Sequence, residues 1–87
     1  MFKRFGDVAD GETFRTQDGG QFLKLPPVRP DGFLWPFANT LNLGNRRFAY
    51  LGDQVLVKVT GRESLDIRNG VLHIETAAGG ERLPIGA

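Results

Sequence analysis

The sequence predicts a small all-β domain, either an SH3-like barrel or a compact two-sheet sandwich, built from three hairpins and ending in a three-stranded meander. The first observation behind this is Asn69-Gly70, set between the alternating runs Leu65-Asp66-Ile67-Arg68 and Val71-Leu72-His73-Ile74. Both turn residues tolerate the positive φ of a type I′ turn, and the pair is the strongest short-range hairpin signal. The second is Gly79-Gly80, taken as a two-residue turn that sets Thr76 opposite Leu83 and Ile74 opposite Ile85. Leu65, Ile67, Leu72, Ile74, Leu83 and Ile85 then share one face, so two turn signals agree on one buried surface. The third is punctuation: twelve glycines and five prolines interrupt the chain at short intervals, and no amphipathic helix of useful length fits between them.

Taken in order, the segment from Gly6 to Gly11 is a turn-rich lead into a strand that begins near Glu12. Residues 13–17 and 21–25 form a hairpin about Asp18-Gly19-Gly20. A two-residue loop puts Phe14 with Leu23 and Leu25. A three-residue loop with a bulge at Gly20 groups Phe14 with Phe22 instead, because one step of register moves every side chain to the other face. The two-residue form buries more apolar area and is the one expected. Residues 26–38 carry four prolines, no period and the only tryptophan, so they are expected as a loop. The spacing Pro27-x-x-Pro30 also fits a polyproline II ligand. A short strand over Asn39 to Leu43 and a turn at Gly44-Asn45 follow. Arg47 to Tyr50 and Gln54 to Thr60 then make a hairpin about Gly52-Asp53, with Phe48, Tyr50, Val55, Val57 and Val59 on one face. Three hairpins in one short chain must close on one another to hide their apolar faces, and the barrel, which also reduces exposed edges, is the first choice.

Eighty-seven residues make a single domain spanning 1–87, too small for a deep catalytic cleft. There is no cysteine, which excludes disulfides, thiolate metal sites and a thiol nucleophile, and suits a cytoplasmic protein. Met1-Phe2-Lys3-Arg4-Phe5 begins like a signal peptide, but Gly6-Asp7 stands where the apolar run belongs. No stretch is long and apolar enough to span a membrane. A net charge of +1 lacks the basic excess usual for binding nucleic acid through bulk electrostatics.

Little in the sequence carries chemistry. His73, the only histidine, faces Asp66 in the meander, but no hydroxyl or second carboxylate is placed to complete a catalytic site. Neither a metal site nor a cofactor is expected, since one histidine and scattered carboxylates show no ligand spacing. The glycine pairs precede no helix and are turns rather than phosphate cradles. Arg46-Arg47 beside Phe48 and Tyr50 is the nucleic-acid candidate, although the expected register buries both rings. Phe33, Trp35 and Phe37, with Arg29 beside them, are the protein-binding candidates, because aromatic and arginine side chains dominate interface hot spots. The competing expectation is that these rings fold back and plug the barrel.

Phe5-Gly6-Asp7, Gly11-x-x-Phe14, Lys24, Asn39-x-x-Asn42-Leu43 and Asp53 to Val59 together resemble small uncharacterised proteins of tailed phages and bacterial mobile elements. The likeness covers roughly the first two thirds of the chain. It implies a phage or mobile-element origin and no catalytic activity. The expected function is therefore a non-enzymatic β module that binds a protein, acting as an accessory protein that inhibits a host factor such as a defence complex. The alternatives are a small capsid or tail component and a nucleic-acid-binding barrel. The expected location is the host cytoplasm, or the virion for the structural alternative, with no membrane association.

Overall fold

The computed structural model of the chain describes residues 1–76 and 79–85. It is all-β and contains two antiparallel sheets. The strands are β1 (Lys3–Arg4), β2 (Glu12–Thr16), β3 (Gln21–Val28), β4 (Ala38–Asn42), β5 (Phe48–Ala49), β6 (Leu56–Arg62), β7 (Ser64–Arg68), β8 (Val71–Thr76) and β9 (Gly79–Pro84), with a 3₁₀ turn over Phe5–Asp7. Six strands form one sheet in the order β1-β6-β2-β3-β4-β5, and three form the meander β7-β8-β9. The architecture is the two-sheet alternative rather than a closed barrel. The chain leaves the first sheet at Glu63, whose amide donates to the Gly11 carbonyl at 2.7 Å while the Gly11 amide donates to Lys24 at 2.8 Å. Gly11 thereby ties the start of β2 and the body of β3 to the crossing between sheets. Its φ of +90° and the 2.8 Å between an added Cβ and the Glu63 oxygen leave room for glycine alone.

The Asn69-Gly70 hairpin forms as the sequence predicts. Arg68 pairs with Val71, Ile67 with Leu72 and Leu65 with Ile74, and φ is +54° at Asn69 and +73° at Gly70. The next turn differs. Gly79 and Gly80 lie within β9, Thr76 pairs with Gly79, and Leu72 pairs with Leu83. The partner of Thr76 has moved from Leu83 to Gly79, an even number of residues, so the period of two keeps Leu83 and Ile85 on the core face. The observed register pairs every residue of β8 with β9 and lets the Ile85 amide reach the Gly70 carbonyl at 2.8 Å.

The hairpin of β2 and β3 takes the register that groups the phenylalanines: Phe14 pairs with Phe22 and Thr13 with Leu23. The loop is residues 17–19, closed by the Thr16 amide on the Gly20 carbonyl at 2.9 Å and the Gly19 amide on the Thr16 carbonyl at 3.0 Å. Gly19, at φ +93°, rather than Gly20, takes the left-handed position of a three-residue loop. The expectation failed because it assumed one buried face, whereas the large sheet is covered on both. Leu23, Leu25, Val28 and Leu41 pack with Leu72, Ile74 and Ile85 of the meander. Phe5, Val8, Phe14 and Val57 form a second core on which Phe22, Leu51 and Val59 close. The Phe14 ring lies 5.7 Å from Phe22 in a stack and 5.4 Å from Phe5 edge-on.

The hairpin expected about Gly52-Asp53 does not exist. β5 pairs with β4, Phe48 against Leu41, while β6 pairs with β2 and β1. Joining β6 to β2 covers an edge that a local hairpin would have left open and brings Val57 and Val59 to Phe14. Residues 50–55 therefore carry the chain from the β5 edge back to β6 beside β2, through a turn closed by the Val55 amide on the Gly52 carbonyl at 3.2 Å. The five residues expected on one face separate: Phe48 packs on the first core, Val57 and Val59 join the second, and Tyr50 and Val55 are exposed.

Candidate protein-binding surface

The site grows from the end of β3. This strand runs through Pro26 and Pro27 to Val28, beyond the point where a loop was expected to begin. The register with β4 shifts between Lys24 and Val28, so the prolines fall where the ladder is irregular and a missing N–H does least harm. The loop proper is residues 29–37, with one turn closed by the Phe33 amide on the Pro30 carbonyl at 3.1 Å.

The three loop aromatics separate. Phe33 is half-buried and packs on the first core. Trp35 is 63% exposed and Leu34, next to it, 97%. The Trp35 ring stacks on Tyr50 at 5.7 Å and 14°, and Phe37 meets the same tyrosine edge-on at 5.3 Å. Trp35, Tyr50 and Phe37 thus form one aromatic cluster on the surface. Arg29 is exposed along the rim of a depression that also reaches Trp35 and Asp31.

Tyr50 was expected in the core, and its role here comes from two buried polar residues on β4. The Asn39 amide group donates to the Leu51 carbonyl and accepts from the Leu51 N–H, both at 2.9 Å, imitating a strand partner. The Thr40 hydroxyl donates to the Ala49 carbonyl at 3.0 Å. The backbone is therefore clamped on both sides of Tyr50. The signal in the sequence was Asn39-Thr40 set between the apolar Ala38 and Leu41, since polar side chains buried among such neighbours require partners.

Beside the cluster lies a groove of about 280 Å3 whose walls include Pro27, Phe37 and Tyr50 and which Asp10 and Asp53 also line. Lys24 reaches the same groove, but its ammonium donates to the Val8 carbonyl at 3.3 Å and sits 4.3 Å above the Phe5 ring.

The other candidates are not assembled into sites. Arg46 holds Glu81 at 2.8 Å and donates from Nη1 to the Leu43 carbonyl at 2.8 Å, so its guanidinium links the turn after β4 to β9. Arg47 is exposed, but the nearby Phe48 is packed on the first core and Tyr50 is engaged with Trp35 and Phe37. His73 does sit across from Asp66, yet that carboxylate pairs with Arg68 at 2.6 Å. Comparison with protein-family models, curated proteins and solved structures finds no match to this chain.

Proposed function

We propose that the chain is a non-enzymatic β module that binds a protein partner through the surface formed by Trp35, Tyr50 and Phe37, with Arg29 at its rim. The observation that carries this reading is the Trp35–Tyr50 stack, held at the surface by a loop and by a backbone clamped through Asn39 and Thr40. Rigid, exposed aromatics supply contact area at low entropic cost and are the residues on which interface energy concentrates. The nucleic-acid reading has less behind it, because Arg46 is engaged by Glu81 and no stacking platform accompanies Arg47. The likeness to tailed-phage and mobile-element proteins extends the proposal to an accessory protein that occupies a host factor, with a capsid or tail component as the alternative.

The test is affinity capture with the wild-type protein and with Trp35→Ala, checked to be folded. A protein retained by the first and lost by the second supports the reading. Equal retention by both, or retention of nucleic acid that falls steeply with salt, overturns it. Sedimentation of the captured complex then distinguishes a discrete host complex from assembly on a lattice.

A further inference from the structure

We infer that the groove between Pro27, Phe37 and Tyr50 takes a proline-rich segment in the polyproline II conformation that carries an arginine or lysine. This deepens the protein-binding reading and rests on it. The walls include one pyrrolidine and two aromatic rings together with Leu25 and Asn39, and Trp35 extends them along the Tyr50 stack. Aromatic-lined grooves of this kind suit a polyproline helix, which has no internal hydrogen bonds, is already extended and loses little entropy when docked. Its carbonyls need donors. Among the described residues the Trp35 indole N–H and the Tyr50 hydroxyl have no partner, so both are free to donate to such carbonyls.

The charge requirement comes from Asp10 and Asp53. Both residues line the groove, and neither carboxylate forms an ion pair among the described residues. Lys24, the lysine of the groove, is turned to the Val8 carbonyl and the Phe5 ring instead. The site therefore offers two unpaired acidic groups beside apolar rings, which favours a cationic residue next to the prolines and disfavours an acidic one.

Trp35 is the only tryptophan, stacked and partly exposed, so its fluorescence reports directly on an occupant. The probes are a decaproline peptide with one terminal arginine, the same peptide with glutamate in place of the arginine, and a Gly-Ser peptide of equal length bearing the arginine. The arginine decaproline is expected to give a saturable shift, with the glutamate form binding about tenfold more weakly. Asp10→Asn with Asp53→Asn, two isosteric surface changes, should remove that preference and leave proline binding in place. No saturable shift at millimolar peptide, an equal response to the Gly-Ser peptide, or a charge preference that survives the double variant overturns the inference. Trp35-dependent capture of a protein that contains no such segment sinks this inference alone, whereas loss of Trp35-dependent capture altogether removes the broader reading as well.

Discussion

Asp18 lies exposed at the loop between β2 and β3, where the Thr16 hydroxyl and the Gly20 amide donate to its carboxylate. These bonds, the hydroxyl's first, hold its pKa below the usual carboxylate value. A depressed folded-state pKa contributes stability that is present above the ordinary aspartate range and is lost as pH falls through the lowered value. Melting of Asp18→Asn followed across the acid range should show a deficit at neutral pH that closes as the wild-type carboxylate is protonated; a deficit unchanged by pH would assign the effect to geometry. The loop aromatics give a second contrast. Phe33→Ala should cost about 2 kcal/mol of folding stability, because a ring packed on the first core is lost. Trp35→Ala should cost about 1 kcal/mol or less, the size of one exposed ring stack, while weakening partner binding by about 2 kcal/mol or more. Thermal unfolding of the two variants side by side checks the order, and a larger loss for Trp35→Ala would mean that its ring serves the fold.

The β7-β8 hairpin is the element that local chemistry specifies most fully. Its turn holds two residues of positive φ, and its strands alternate between core and surface. Gly70→Ala should lower stability by about 1 kcal/mol, the cost of placing a Cβ in the left-handed region. Urea unfolding would show a lower midpoint with an unchanged slope, and an altered slope would point to a change in the unfolded or native ensemble instead. The β2-β3 hairpin shows the limit of the same logic. Its glycines permit two loops of different length, and the choice between them was made by the second core, where Phe14 meets Phe5 and Phe22.

The two cores share the same sheet. β3 sends Leu23 and Leu25 to one and Phe22 to the other, so neither forms without the strand on which both depend. Unfolding should be a single transition, and Leu72→Ala and Phe14→Ala should each lower it as a whole, by about 2–5 kcal/mol. Two separate melting steps in either variant would show that the sheets unfold independently. Gly11 links the two sheets through Lys24 and Glu63. Gly11→Ala should cost about 2 kcal/mol or more, since the new Cβ meets the Glu63 oxygen and the backbone is held at positive φ. A melting temperature equal to wild type would show that the crossing yields without strain.

By itself the sequence determined the class, the Asn69-Gly70 turn, the strand over Asn39 and its neighbours, and the core face of the meander, because each follows from residues close together in the chain. Even the misplaced turn at Gly79-Gly80 left that face intact, since the register error was an even number of residues. Tertiary structure alone decided the rest. The pairing of β6 with β2 instead of β5 joins residues far apart in sequence, and its reward is an edge covered and a second core closed, neither visible in any local window. The site belongs to the same category. Trp35 and Phe37 were legible as candidates from their setting among prolines, but Tyr50 was assigned to the core because its strand was paired wrongly. Only the long-range hydrogen bonds of Asn39 to Leu51 place that ring beneath the tryptophan. Local backbone preferences fix turns and faces, whereas the partner of each strand is chosen by which distant surface can be buried against it.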